Sequence, residues 1–392
     1  MTTATTYGFV TKTFHWLTAL LILTVIPLGV IANDLPYDTN AELARKAQLF
    51  SVHKTLGVFI FFVALARILW AMTRSKPAGL HPERKAETLL ADTVHWLLYA
   101  SLVAVPLTGW IHHAATTGFA PIWWPFGQDL PLVPKDEGVS KTFAGLHWLW
   151  SKILVGALLA HIAGALKHHF IDKDATLRRM WFGRSEPAPA HRGTWVAPAS
   201  ALAVYLVLSL GGAAAGLYTA RPATASVALA EVSSDWAVQE GEIALTIPQF
   251  DAPVTGRFSE WTAAITFDET ATDDIGAVTT TIAIGSLTLG SVTDQALGAD
   301  FFAAETFPTA TFDAEILQAD DGYLAEGTLT IKDNTVPVTL PFTLQIDGDT
   351  ATMQGSITLD RRDFAIGDSM NDETNLAFAV DVAVRLTATR SQ

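Results

Sequence analysis

Up to about residue 220 the chain is a series of long apolar runs joined by short polar connections; beyond Trp236 it changes to short segments in which polar and apolar residues alternate. Five of the apolar runs, roughly 14–32, 51–72, 92–113, 143–166 and 196–217, are long enough to cross a hydrocarbon core, which takes about 20 helical residues. The later segments, among them EIALTI, YLAEGTLTI, VPVTLPFTLQI and LAFAVDVAVRLTA, have the period of two of half-buried strands, with Gly, Asp and Asn turns between them. Six to eight such strands without a long helical pattern predict an antiparallel barrel or sandwich. The expected fold class is therefore an all-α membrane bundle of four helices with one extra transmembrane helix, followed by an all-β domain. The predicted divisions are 1–190 for the bundle, 191–222 for the fifth helix and linker, and 223–392 for the β domain. An eight-stranded closed barrel is wide enough to hold one small ligand.

Charge sharpens the division. Residues 1–222 hold 19 Lys+Arg and 12 Asp+Glu, whereas residues 223–392 hold 6 and 27. The position before the first span and the connections 73–91 and 167–192 carry eleven basic residues, against four in 33–50 and 114–142. The positive-inside bias then predicts a cytoplasmic N-terminus and, after five spans, a periplasmic β domain on a multi-pass protein of a bacterial inner membrane. The first apolar run follows a polar, Thr-rich start and lacks a small-residue cleavage pattern, so it reads as a retained helix. There is no cysteine, which excludes disulfides, thiolate metal sites and covalent c-type haem. All eleven histidines lie at or before His191, so the β half has no metal-ligand or Ser-His grouping and is expected to bind a ligand or to cap the bundle. No nucleic acid is expected as a partner.

The candidate chemistry lies in the fourth apolar run, FAGLHWLWSKILVGALLAHIAGALK, which carries His147 and His161 fourteen residues apart. Fourteen helical steps end about 40° short of four full turns and about 21 Å along the axis, so both imidazoles share one face, one near each edge of the bilayer. An ionisable residue in a membrane helix is a functional candidate by default. By depth, His53 at the start of the second run can face His147, and His15 in the first can face His161. Each pair could clamp one haem iron from both sides. His95, at the head of the third run, competes with His15 for the inner place. The same fourteen-residue spacing sets Gly29 after His15, where a macrocycle could approach the backbone, and Arg67 after His53, where propionates or interfacial snorkelling would satisfy the cation. His112, His113, His168 and His169 are expected at interfaces, and His81 and His191 in loops. Helix five is expected to pack through Gly211, Gly212 and Gly216.

The runs FHWLTALL and SVHKTLG, the HWLLY…P…G pattern of the third run and HW…H in the fourth resemble the prokaryotic cytochrome b-561 family over about residues 6–185. That resemblance implies two haem b groups on His15, His53, His147 and His161, the iron ligands, and electron exchange with the ubiquinone pool. One activity in the family is superoxide oxidase, in which superoxide at the outer face is the donor. Lys46, Lys54, Lys141 and Lys152 would attract that anion, but Asp34, Asp38, Glu42, Asp129, Asp136 and Glu137 lie in the same connections.

The second half resembles the YceI lipid-binding domain. TIPQF…VTGRFSEWTAAITFD, ADFFAAETFPTATF, EGTLTIKDNTVPVTLPF and RRDFAIG carry the likeness, with Ala365 in place of the family's glycine and TDQALG where the family has an Arg-Asp-x-His-Leu run ahead of Asp300. The resemblance implies a lipocalin-like eight-stranded barrel whose apolar tunnel holds an isoprenoid lipid or quinone. Phe250, Phe301, Phe302, Phe307 and Phe364 are the candidate contacts. The chain is thus expected to be a superoxide:ubiquinone oxidoreductase-like cytochrome with a tethered isoprenoid-binding barrel. The alternatives are a membrane-anchored polyisoprenoid carrier with a redox-regulatory cytochrome, or an electron conduit to a separate periplasmic protein.

Overall fold

A computed structural model describes residues 7–73, 80–81, 83–181, 194–219, 227–271 and 275–391. His191 and four of the basic residues of the connections, Arg74, Lys76, Arg184 and Arg192, lie outside the described residues. The chain divides into two compact units, one of residues 1–35, 48–115 and 122–219, the other of 36–47, 116–121 and 220–392.

The first unit is helical: α1 (Phe9–Asp34), α2 (Asn40–Met72), α3 (Lys85–Ala114), α4 (Glu137–Lys167), the short α5 (Thr176–Met180) and α6 (Val196–Ala214). All except α5 are long and apolar enough to cross a membrane. α1 to α4 overrun the predicted spans because hydropathy marks only the apolar stretch of a helix, whereas hydrogen bonding carries the helix on through polar turns; α6 instead stops at Ala214, short of the expected 217. At the start of α4 the Asp136 carboxylate accepts the Val139 N–H at 2.8 Å, satisfying one of the unpaired amides of the first turn. α4 runs directly into a π-helical turn, His168–Asp172, closed by Lys173 in the left-handed region (φ 53°). α6 joins the bundle through buried Ala197, Ala201 and Tyr205 and through two side-chain hydrogen bonds: the Ser101 and Tyr205 hydroxyls lie 2.6 Å apart, and the Trp150 indole N–H donates to Ser209 Oγ at 3.0 Å. Of its expected packing glycines, Gly212 meets Tyr218 and Leu149, whereas Gly211 has open space around it.

The second unit is built on one antiparallel sheet. Its strands are β1 (Trp236–Gln249), β2 (Ala252–Phe258), β3 (Trp261–Phe267), β4 (Gly276–Ala283), β5 (Leu287–Thr288), β6 (Thr309–Ala319), β7 (Gly322–Ile331), β8 (Asn334–Asp347), β9 (Thr350–Asp360) and β10 (Ala379–Arg390), with one helical turn, α7 (Thr293–Ala296). The order is β3-β4-β6-β7-β8-β9-β10-β1-β2-β5. β2 and β3 are one run of chain broken only at Ser259–Glu260; β2 pairs with β1 and β3 with β4. The ladder is thus carried round by this bent run, and with β2–β3 counted as one strand and the two-residue β5 left out, the strands make the eight expected. Every long strand sends alternate side chains inward, which is why the core is a column of Ile, Leu, Val and Phe.

Two short segments from the N-terminal half belong to this unit. Leu43 is 1% exposed in the same apolar cluster as Ile247, Val254 and Met370. Asn375 donates to the Asn40 carbonyl at 3.3 Å, and Ser291 N–H donates to the Thr117 carbonyl at 3.3 Å.

Candidate functional site

The helical unit brings together the four histidines singled out from the sequence. His53 on α2 and His147 on α4 have ring centroids 6.4 Å apart at an interplanar angle of 88°. His53 Nδ1 lies 2.9 Å from the Val25 carbonyl of α1, and His147 Nδ1 lies 2.9 Å from the Val105 carbonyl of α3. A backbone carbonyl only accepts, so each Nδ1 carries the proton and each Nε2 lone pair is left for a metal. His15 on α1 and His161 on α4 have centroids 6.1 Å apart at 59°.

These spacings can be tested against an iron between the rings. A metal–imidazole bond is about 2.0–2.1 Å, and a ring centroid lies roughly 1.1 Å inside its nitrogen, so two imidazoles on one ion have centroids about 6.3 Å apart. Both pairs fit. His95, the competing residue, has its ring 5.2 Å from that of His161, too close for a shared iron, and its Nδ1 faces the Ala91 carbonyl at 2.6 Å. Arg67 lies within electrostatic reach of His15 and His161 and stands over the Tyr99 ring at 5.4 Å.

Gly29, expected to admit a macrocycle, lies directly against an imidazole. A Cβ there would lie 2.6 Å from His53 Cε1, so the missing side chain makes room for the imidazole itself. Gly109 does the same for His147, where a Cβ would lie 2.9 Å from Nδ1. In each helix the accepting carbonyl stands four residues earlier, and a glycine at that spacing opens the flank of the carbonyl to the ring. Gly109, Val25 and Val105 were not singled out in the sequence. The signal was present as V-x-x-x-G with an internal proline, VIPLG at 25–29 and VPLTG at 105–109. His112 is also more than an interface residue: its Nδ1 lies 2.9 Å from both the carbonyl and the hydroxyl of Ser140, and its ring is 4.4 Å from that of His113.

The barrel encloses a cavity of about 280 Å³ whose wall is almost wholly aliphatic and aromatic. Phe301, Phe302 and Phe364 line it, as do Phe258, Trp261 and Phe312. Phe250 and Phe307 do not. Phe250 has a left-handed backbone (φ 50°) at the β1–β2 turn, which takes it out of the inward alternation, and its ring lies 6.2 Å from Phe119. Phe307 sits in the irregular run before β6. Two polar groups on the wall stand out. Arg361, 4% exposed, donates to the carbonyls of Ile366, Gly367, Met370, Leu376 and Ala377, and burial lowers its pKa. Gln249, 4% exposed, has its Oε1 buried with no hydrogen-bond partner among the described residues.

Facing imidazole pairs in an apolar helical bundle, joined to a closed β-barrel with an apolar cavity, define a membrane cytochrome b class with a lipocalin-like appendage. Comparison with known proteins agrees. Residues 6–183 match the family model for prokaryotic cytochrome b561, and residues 218–388 match that for the YceI-like domain. The chain is 34% identical over 177 residues to cytochrome b561 homolog 2 of Escherichia coli (strain K12), covering 44% of this chain and 90% of that protein. It is 25% identical over 167 residues to a Yersinia pestis protein named "Probable superoxide oxidase CybB", covering 42% and 90%. The crystal structure of Burkholderia cenocepacia BcnA is similar to the barrel region at 32% identity, covering 38% of this chain and 96% of that one, with a TM-score of 0.36. The chain belongs to the prokaryotic cytochrome b561 family and carries a YceI-like domain in its second half. The family is one of transmembrane oxidoreductases that bind haem b and work with quinone-type partners in the bilayer.

Proposed function

We propose that the chain holds two haem b groups, one between His15 and His161 and one between His53 and His147, and exchanges electrons between a periplasmic donor and ubiquinone. The observation that carries this reading is the spacing of the two imidazole pairs, 6.1 and 6.4 Å between centroids, each of which would hold one haem iron. When bound, haem supplies reversible one-electron chemistry without an open ligand position. The protein's own part is to hold the rings. The Val25 and Val105 carbonyls fix two imidazoles in the Nδ1–H tautomer, Gly29 and Gly109 keep their space clear, and Arg67 offers a cation to propionates at the other pair.

Superoxide is the donor we favour, because the family includes a relative named for that activity. Two superoxide anions would give up one electron each and leave as dioxygen; ubiquinone would take both electrons and two protons to become ubiquinol. Pulsed superoxide should reduce the haems within the pulse experiment and added ubiquinone should reoxidise them. Haems left oxidised by the pulse would end the superoxide assignment.

The barrel is assigned an isoprenoid with an oxygen-bearing head, quinone or polyprenyl in type. An almost wholly apolar wall suits the chain, and Gln249, buried with an unused acceptor, suits a hydroxyl or carbonyl head. Lipid extraction and mass spectrometry of the purified full chain test this; a barrel that yields no isoprenoid refutes it.

A further inference from the structure

We propose that His81, His168 and Asp174 form a binding site for a divalent transition-metal ion of the zinc type, separate from the haem sites. Asp174 Oδ2 is 2.6 Å from His168 Nδ1 and 3.2 Å from His81 Nε2, and the three donor atoms lie within 4.8 Å of one another. The two imidazoles are nearly parallel, 8° between planes with centroids 6.2 Å apart, and turn their nitrogens to the same carboxylate oxygen. His81 Nε2 is buried and, despite its 3.2 Å approach to Asp174, is not aligned to hydrogen-bond that oxygen or any other described residue.

The surrounding groups fit a metal site better than a plain ion-pair cluster. In each imidazole the nitrogen turned away from Asp174 faces a second carboxylate: His81 Nδ1 is 3.2 Å from Glu83 Oε1 and His168 Nε2 is 3.3 Å from Glu87 Oε1. Carboxylate–histidine–metal is the usual arrangement by which a protein fixes the tautomer and orientation of a ligating ring. Asp174 is held as well: its Oδ1 accepts the Thr176 N–H at 2.7 Å, leaving Oδ2 for the site. The backbone builds this shape. The π turn at His168–Asp172 widens the helix end, Lys173 reverses the chain, and the Asp174 N–H donates back to the His168 carbonyl at 3.1 Å. π turns are rare and concentrate at functional sites.

Charge selects this group over its neighbour. The adjacent set Glu87, His168 and Asp172 is already served by cations, since Lys167 bonds Glu87 and Asp172 and Arg84 lies 3.1 Å from Asp172. Asp174 has no lysine or arginine ion pair among the described residues, so one negative charge is left beside two imidazoles. Two nitrogens and one carboxylate oxygen suit zinc with a fourth, exchangeable position; bonds near 2.1 Å set tetrahedral ligand atoms about 3.4 Å apart, close to the 3.2 Å between His81 Nε2 and Asp174 Oδ2, whereas the 2.6 Å hydrogen bond between His168 Nδ1 and Asp174 would open as the ion replaces its proton. The bound ion would pin the α2–α3 connection to the end of α4.

The test uses the haem-loaded full chain in detergent, without a histidine tag, stripped with chelator and titrated with Zn²⁺ alone by calorimetry. One ion per chain is expected, with affinity reduced on the order of tenfold or more in both His81→Gln and Asp174→Asn, and unchanged in His169→Gln, an exposed neighbour on the same turn. An unchanged haem spectrum checks that the variants fold. Zinc K-edge spectroscopy of the unmutated chain, which depends on no variant, should find two imidazoles in the metal shell. No binding, binding untouched by both substitutions, or a metal shell without histidine would each overturn the proposal.

Discussion

Gly29→Ala is the sharpest test of how the bundle prepares its ligands. The new Cβ would lie 2.6 Å from His53 Cε1, whereas ordinary contact begins near 3.4 Å, so the imidazole has to retreat by about 0.8 Å. A shift of that size also loosens the 2.9 Å bond from His53 Nδ1 to the Val25 carbonyl. Forcing a methyl into a filled space costs about 1–3 kcal/mol, and losing the hydrogen bond about 1 kcal/mol more. Against this stands a helix-propensity gain of about 0.8–1.0 kcal/mol for Ala over Gly. The net loss, about 1–3 kcal/mol, corresponds to roughly 5- to 150-fold weaker retention of the haem at His53 and His147. The assay is the haem-to-protein ratio of the purified chain with a redox titration of the two centres. One centre should be depleted or shifted in potential and the other kept. Gly57→Ala is the control: it lies on α2, where a Cβ meets nothing within 4 Å, and both haems should stay. If Gly29→Ala retains two haems at unchanged potentials, the idea that the glycine reserves space for the imidazole is wrong.

Other tests follow from single observations. His15→Ala should lose one haem and His95→Ala should lose none; the reverse result would mean that the 6.1 Å pair is the wrong one. Arg361→Met should destabilise the barrel by at least about 3 kcal/mol, because it strips the donor from several buried carbonyls. At about 2–4 °C per kcal/mol for a domain of this size, calorimetry should show the barrel transition falling by roughly 6–12 °C, and an unmoved transition would contradict the role given to the cation. Ala365 holds a left-handed backbone (φ 50°) that costs a non-glycine residue about 1–2 kcal/mol. Ala365→Gly should therefore raise barrel stability by up to about 1 kcal/mol after the entropy of glycine is counted, and a drop in the melting temperature would refute the strain. Gln249→Leu should lower the isoprenoid content of the purified chain if that amide meets the ligand's head, and unchanged content would rule the contact out.

Much of this organisation was legible in the chain. Apolar runs of about twenty residues and alternating segments of five to ten report the solvent each element meets, and that is a local property. The fourteen-residue interval between His147 and His161 is likewise local, because helical geometry converts a sequence distance into a face and a depth. The sequence by itself therefore determined two regions of different character, five helices long enough to span a bilayer, and four histidines arranged to meet in pairs.

Tertiary structure decided everything that depends on which surfaces touch. The sequence favours His15 over His95 as the partner of His161 but gives no distance for either; the packed rings stand 6.1 and 5.2 Å from that of His161. Gly29 is expected from the sequence to admit a macrocycle to the backbone; that a Cβ there would also meet His53, on another helix, shows only in the packed structure. Phe301 and Phe302 line the cavity from a loop and Phe250 does not line it although it directly follows a strand, which no alternation along the chain distinguishes. His81, in a loop, and His168, in the π turn that continues α4, are 87 positions apart with no periodicity to relate them, and they meet one carboxylate only because that turn and the reversed Lys173 bring Asp174 between them. Periodicity fixes what each residue can face within its own element; the residue it does face is set by packing between elements, which no local pattern encodes.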